Sequence, residues 1–140
     1  MWKYYALLSA FFAALTAILA KCGLRGMDSN LATAIRTLVI AALTWGIVLV
    51  SGTGGQLRGL AARNWLFLVL SGLATGASWL FYFKALQNGT VAQVAPIDKL
   101  SVAMAILLGW IVLRETVTLP VVAGGALIVA GGLVILYGSR

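Results

Sequence analysis

Asp98 and Lys99 stand side by side within the apolar stretch Val91–Leu113, and their side chains are the best suited to chemistry in this sequence. A carboxylate and an ammonium group could bind a polar solute or exchange a proton. If the stretch crosses a bilayer as one helix, both charges lie about 5 Å from the bilayer centre, given a rise of ~1.5 Å per residue. An ionised group at that depth is costly unless it is paired or hydrated. We therefore predict that both residues face a polar cavity between helices, as expected for transport of a small solute.

The neighbouring sequence bears on how these two charges are compensated. Adjacent residues of a helix point about 100° apart, so Asp98 and Lys99 are not expected to neutralise each other. One residue would pair across helices while the other meets the solute; a structural buried ion pair with partners elsewhere is the alternative. Pro96 has no N–H, so it frees a carbonyl near Ala92 at a similar depth, as in the broken helices of transporter sites.

The composition is that of a membrane protein and leaves little material for enzyme chemistry. Of the 140 residues, 62% are hydrophobic and 9% are charged, whereas soluble domains are about 45–50% apolar and about 25% charged. The sequence has no histidine, one cysteine and three carboxylate side chains, Asp28, Asp98 and Glu115. These residues cannot supply a catalytic triad, a metal cluster or a paired-carboxylate site, so we predict neither an enzyme nor a bound cofactor. The net charge of +7 does not indicate a nucleic-acid partner, because the basic residues form no contiguous patch.

Apolar runs separated by short connectors predict an all-α membrane protein. The runs are about as long as transmembrane helices, which need roughly 20 residues, and they cover residues 3–21, 31–51, 65–86, 91–113 and 119–138. The loops leave no room for a second domain, so residues 1–140 are expected to form a single transmembrane domain in the cytoplasmic membrane. The connector Asp28-Ser29-Asn30 offers N-caps for the second helix.

Polar and small residues recur at helical spacing on the third helix. A polar stripe and a neighbouring stripe of small and aromatic residues follow the same spacing: Ser71, Thr75, Ser78 and Tyr82, and Gly72, Gly76, Trp79 and Phe83. Such stripes can simply mark close packing, with hydroxyl groups bonded to their own helix. Because Trp79 and Tyr82 are bulkier than close packing prefers, we predict that they face the solute.

Two further features leave alternatives open. Arg36 lies about a turn and a half inside the second helix, where its side chain either extends to the nearer headgroups or faces the cavity and contacts an anion. On the fifth helix, glycines recur seven residues apart, as Gly124 and Gly131 and as Gly125 and Gly132. They predict a packing surface within the subunit or between subunits.

Several stretches match one known family. They read SGLATGASWLFYFKAL from Ser71 to Leu86, VAPIDKLSV from Val94 to Val102, LRE at the end of the fourth helix and AGGALIVAGG from Ala123 to Gly132. With the order of five helices, they resemble the EamA domain of the drug/metabolite transporter superfamily over almost the whole chain. Many family members carry glycine in the tripeptide where this chain has Arg114.

The resemblance implies a secondary transporter of a small metabolite or drug-like solute. Common members hold two five-helix halves in one chain, related as inverted repeats around a central cavity, and this chain looks like one half. We therefore expect an antiparallel homodimer in the lipid bilayer. The alternatives are a subunit of a lipid-linked sugar flippase of the same superfamily, and a non-transporting membrane scaffold that holds a partner with its fifth helix.

Six residues are predicted to line the solute site: Trp79, Tyr82, Asp98, Lys99, Ser101 and Arg36. Asp98 is the deeply placed acid of the sequence. It is therefore the candidate for coupling transport to a proton or another cation.

The basic residues predict no strong preference for either orientation in the membrane, which follows the Lys and Arg bias of short flanking loops. The side that holds the N-terminus carries Lys3, Arg58, Arg63 and Arg114, and the other side carries Lys21, Arg25, Lys84 and Arg140. With four on each side, we expect the chain to insert in both orientations. A fixed orientation, set by the amino terminus or by a partner, is the alternative.

Overall fold

The computed structural model describes residues 1–138, which are helical apart from short connectors and contain no strand. The helices are α1 (Trp2–Gly23), α2 (Ser29–Ser51), α3 (Ala62–Asn88), α4 (Val91–Asp98), α5 (Leu100–Leu113) and α6 (Leu119–Gly138), with a 3-10 helix at Thr53–Gly59. Five segments are long and apolar enough to cross a membrane: α1, α2, α3, the pair α4–α5 and α6. The predicted all-α class with five spans is confirmed. Arg140, counted above as a basic residue of one side, lies outside the described residues.

The chain forms two compact units. One, here called the central unit, comprises Leu19–Gln87 and holds α2 and most of α3. The other, here called the terminal unit, comprises Met1–Ile18 and the chain from Asn88 onward, with α4, α5 and α6.

The central unit is packed where the start of α2 meets the end of α3. Asp28 caps α2, because its Oδ1 accepts hydrogen bonds from the amides of Asn30 at 2.9 Å and Leu31 at 3.2 Å. The Gln87 side chain donates to the Met27 carbonyl at 2.9 Å. These bonds hold the connector against the end of α3, and the buried residues of the unit lie beside it: Leu24, Ser29, Thr33, Phe83 and Leu86.

In the terminal unit, the fourth span is broken in two. Pro96 cannot donate a hydrogen bond within α4, and at Lys99 the hydrogen bonds shorten to a spacing of three residues. The Lys99 amide donates to the Pro96 carbonyl at 3.1 Å, and the Val102 amide donates to the Lys99 carbonyl at 3.0 Å. The predicted single helix 91–113 is therefore observed as α4 and α5, with Lys99 as the joint.

Helix α6 packs along both halves of this broken span through two buried glycines. A Cβ atom on Gly132 would lie 2.9 Å from Leu100 Cδ2 and 3.7 Å from the Pro96 carbonyl oxygen, and one on Gly125 would lie 3.1 Å from Ile106 Cδ1. The packing surface predicted for Gly125 and Gly132 thus serves contacts within the subunit. The second glycine pair of α6, Gly124 and Gly131, has no such neighbour within 4 Å.

Helix α5 ends at Leu113, and the C-cap residue Arg114 adopts a left-handed conformation with φ 55° and ψ 34°. The amides of Arg114 and Glu115 both donate to the Gly109 carbonyl, the latter at 3.2 Å, so the turn closes the helix. A left-handed residue at this position favours glycine, because glycine has no Cβ. The conformation is the one that would favour the glycine expected here from the resemblance stated above.

We predict that Arg114→Gly stabilises the protein. The left-handed region costs a non-glycine residue about 1–2 kcal/mol. The greater backbone entropy that glycine loses on folding offsets roughly 0.5–1 kcal/mol of this, so the net gain is up to about 1.5 kcal/mol. Chemical unfolding of the detergent-solubilised protein measures it. Arg114→Ala removes the same charge but keeps the strained backbone, and equal stabilisation by both variants would contradict this explanation.

Candidate functional site

Arg36 forms the centre of an aromatic cluster between α2 and α3 in the central unit. Its Cζ atom lies over the Trp79 ring, 4.4 Å from the centroid, and 5.3 Å from the centroid of Phe83. Phe83 is 2% exposed, so the residues packed around its ring hold it in place. The Tyr82 ring lies edge-on to the Phe83 ring, with 6.3 Å between the two centroids. The spacing of α3 brings these side chains together, because Phe83 lies one turn after Trp79.

The positive charge of Arg36 is stabilised by aromatic faces. Among residues 1–138, its guanidinium group makes no hydrogen bond and no ion pair. A cation over an aromatic ring gains about 0.5–1 kcal/mol when exposed and ~2 kcal/mol or more when desolvated. Arg36 is half-buried, so the rings hold the side chain in place and leave its N–H groups available.

Asp98 and Lys99 contact each other at the joint between α4 and α5. Lys99 Nζ lies 3.4 Å from Asp98 Oδ2, and the two side chains are 53% and 35% exposed, respectively. The expectation that these neighbours could not neutralise each other is wrong, because Lys99 stands at the joint where the helix is interrupted. The exposure of both side chains also argues against a deeply buried structural pair.

Several threonine hydroxyl groups of α2 and α3 donate hydrogen bonds to their own helices. Thr33 and Thr37 on α2 donate to carbonyls one turn earlier, both at 2.8 Å, and Thr75 on α3 donates to the Ser71 carbonyl at 2.9 Å. Ser101, in the first turn of α5, is exposed, and its hydroxyl has no hydrogen-bond partner in the described part of the chain.

The six predicted site residues therefore fall into two groups. Arg36, Trp79 and Tyr82 come together in the central unit, and Asp98 and Lys99 come together in the terminal unit with Ser101 two residues further on. Sequence reasoning missed Phe83 as the second ring over Arg36, although its place one turn after Trp79 is a signal for it. Within residues 1–138, no three His, Cys, Asp or Glu residues converge as metal ligands would.

The terminal unit also has an apolar groove of about 520 Å³ between α5 and α6. None of the six predicted residues lines it, and its lining carries no charge. The groove can accept a hydrocarbon chain but offers no charged group to orient a polar solute. It is lined by Ala103, Ile106, Leu107, Trp110, Val117, Val121, Val122, Gly125, Ala126 and Val129.

Comparison with known proteins gives a family match over nearly the whole chain. Residues 1–137 match the EamA-like transporter family. A relative from Sinorhizobium sp., named "Uncharacterized transporter in cobO 3'region", is 49% identical over 134 residues, which is 96% of this chain and 95% of the relative. No solved structure matches the chain.

We predict that Arg36 and Trp79 are energetically coupled. A double-mutant cycle with Arg36→Gln and Trp79→Leu should give a coupling energy of about 1–2 kcal/mol in chemical unfolding. Arg63 and Phe67 provide the matched control, because their cation–ring distance is 5.7 Å and both are exposed. Their coupling should stay below about 0.5 kcal/mol. Equal coupling in the two cycles would show that the aromatic cluster does not hold Arg36.

Proposed function

We propose, since the chain belongs to the EamA-like transporter family, that it is a secondary transporter or exporter of a small metabolite or drug-like solute. The observation that carries the proposal is the Asp98–Lys99 ion pair at the joint of a broken span. Ionisable groups inside a span are costly and are typically kept for function. Interrupted helices offer backbone polar groups at the same depth.

Asp98 is proposed to couple transport to a proton or another cation. A proton on the carboxylate removes its attraction for Lys99, and the ammonium group is then free to bind elsewhere. The reverse step restores the pair. Because the two residues are neighbours in the chain, this exchange of partners requires no separation of helices.

Both groups of residues are proposed to take part in solute binding. Trp79 and Tyr82 would stack against it or donate hydrogen bonds, as aromatic residues do in ligand sites. Arg36 would contribute charge, and Lys99 and Ser101 would provide hydrogen bonds. The exposed hydroxyl of Ser101 supports this role, since no described residue uses it.

The working form is proposed to be an antiparallel homodimer in the cytoplasmic membrane. A lone five-helix unit can rebuild an inverted-repeat architecture by pairing with an inverted copy of itself. The scaffold alternative would use α6, and of its two glycine pairs Gly124 and Gly131 are the uncovered ones. The flippase alternative would draw on the apolar groove between α5 and α6.

Transport in proteoliposomes tests the proposal, and Asp98→Asn tests the coupling. Vesicles loaded with a metabolite mixture should lose specific compounds by exchange, detected by mass spectrometry, and a pH gradient should accelerate the loss. Asp98→Asn should assemble normally and lose the response to the gradient, because the amide cannot take up a proton. Glu115→Gln, at the end of α5, is the matched control and should keep the response.

Two results would contradict the coupling role of Asp98. If Asp98→Asn transports as well as the unmodified protein at every pH, the proton does not bind there. If the variant fails to assemble, the ion pair is structural. Absence of any exchange in the unmodified protein would favour the scaffold alternative.

The chain is expected to insert in both orientations. A reporter fused after Arg140 should read both cytoplasmic and external in one population, because the basic residues are balanced at four on each side. Replacing Arg58 and Arg63 by Gln should move the reporter to the cytoplasm, since the side with Arg140 then carries the excess. A single orientation in the unmodified chain, or a parallel crosslinked dimer, would rule out the antiparallel homodimer.

A further inference from the structure

We infer that Arg36 binds an anionic group of the transported solute, a carboxylate or a phosphate. The inference rests on the proposed transport function and names the chemical class of its substrate. It follows from three observations. They concern the partners of the acidic side chains, the position of Arg36 along its helix, and the lack of hydrogen-bond acceptors for its guanidinium N–H groups.

None of the acidic side chains of the sequence pairs with Arg36. Of the three, Asp28 caps the start of α2 through the amides of Asn30 and Leu31. Asp98 contacts Lys99. Glu115 folds back on the end of α5, where its Oε2 would lie 3.0 Å from a Cβ atom on Gly109. The positive charge of Arg36 therefore has no acidic side chain to pair with in its own subunit, and its counter-anion has to come from outside.

Arg36 and the Trp79 ring beneath its guanidinium group both lie near the middle of their helices. Arg36 lies four residues from Ile40, the middle of α2 (Ser29–Ser51), and Trp79 lies four residues from Thr75, the middle of α3 (Ala62–Asn88). At about 1.5 Å per residue, each is about 6 Å from the middle of its helix. If Arg36 extended towards the headgroups, it would pass Trp79 and approach Phe83, which is nearer the end of α3. The Arg36 Cζ atom lies 4.4 Å from the Trp79 centroid and 5.3 Å from the Phe83 centroid. The guanidinium group is therefore nearer to the ring that lies closer to the middle of α3.

The aromatic neighbours satisfy the charge of Arg36 but not its hydrogen bonds. Ring faces attract a cation, yet neither the Trp79 indole nor the Phe83 ring has an oxygen atom to accept the N–H groups of the guanidinium. Those groups form a planar fork that matches carboxylate and phosphate oxygens. An arginine held by aromatic faces, with its N–H groups unused, is prepared for such an anion and repels a cationic solute.

Arginine side-chain NMR tests the inference without relying on transport. The protein, labelled with ¹⁵N at arginine Nε, is placed in phosphatidylcholine nanodiscs, and the Arg36 resonance is assigned by its loss in Arg36→Lys. Benzoate and inorganic phosphate should shift this resonance saturably. Benzamide, which has the shape of benzoate without its charge, should leave it unchanged. Arg63→Gln, which removes an arginine stacked on Phe67, should preserve the response.

Thermal unfolding extends the test to variants. Benzoate should raise the unfolding temperature of the unmodified protein, because a ligand of the native state stabilises it. Arg36→Lys should weaken the apparent affinity about tenfold, since a charge-assisted bidentate contact is lost, and Arg36→Gln should abolish the effect. If Arg36→Gln does not fold, Arg36→Lys and the NMR titration still decide.

Three outcomes would overturn the inference. The first is an Arg36 resonance that responds to neither anion. The second is a response to added phosphatidylglycerol but not to benzoate or phosphate, which would assign the site to a lipid headgroup. The third is loss of the dimer in Arg36→Gln without any anion response, which would assign it to a carboxylate of a second copy. Anion binding without exchange in proteoliposomes would support the Arg36 site and refute transport. Exchange that is unaffected by Arg36→Gln would support transport and refute the Arg36 site.

Discussion

The cost of placing charge inside an apolar span is the constraint on which the rest of the structure depends. Arg36, Asp98 and Lys99 stand within segments long and apolar enough to cross a membrane. Burying a charge without compensation is unfavourable by several kcal/mol. The chain meets this cost locally, with aromatic faces for Arg36 and with a contact between neighbours for Asp98 and Lys99. The first solution needs two aromatic side chains one turn apart on α3. The second needs the joint in the fourth span.

Hydropathy and residue type predicted most of the fold, because both act over a single segment. The five spans follow from apolar runs of sufficient length, and Asp28 acts as the N-cap that its side chain favours. The use of Gly125 and Gly132 as a packing surface could also be expected from their spacing. Whether that surface served the subunit or a partner could not, because the spacing records a close approach but not the helix that approaches.

The candidate site was less accessible to sequence reasoning, because its contacts depend on geometry between segments. The 100° rule for neighbours assumes a continuous helix, and it failed at Lys99 because the helix is interrupted there. The rings over Arg36 belong to another helix, so no spacing within α2 indicates them. The left-handed conformation of Arg114 is a local feature, but the sequence did not predict it. A glycine at this position would have indicated it, and this chain has an arginine there.

The local character of both compensations suits the exchange of ion-pair partners proposed above. An ion pair across two helices would tie its opening to a change in helix packing. The Asp98–Lys99 pair lies within one chain segment, while the packing of that joint is provided separately, by Gly132 against Leu100 and the Pro96 carbonyl. The pair can therefore open without loosening α6. In the same way, ring faces hold Arg36 without directed hydrogen bonds, so the anion we infer would gain contacts there and displace none.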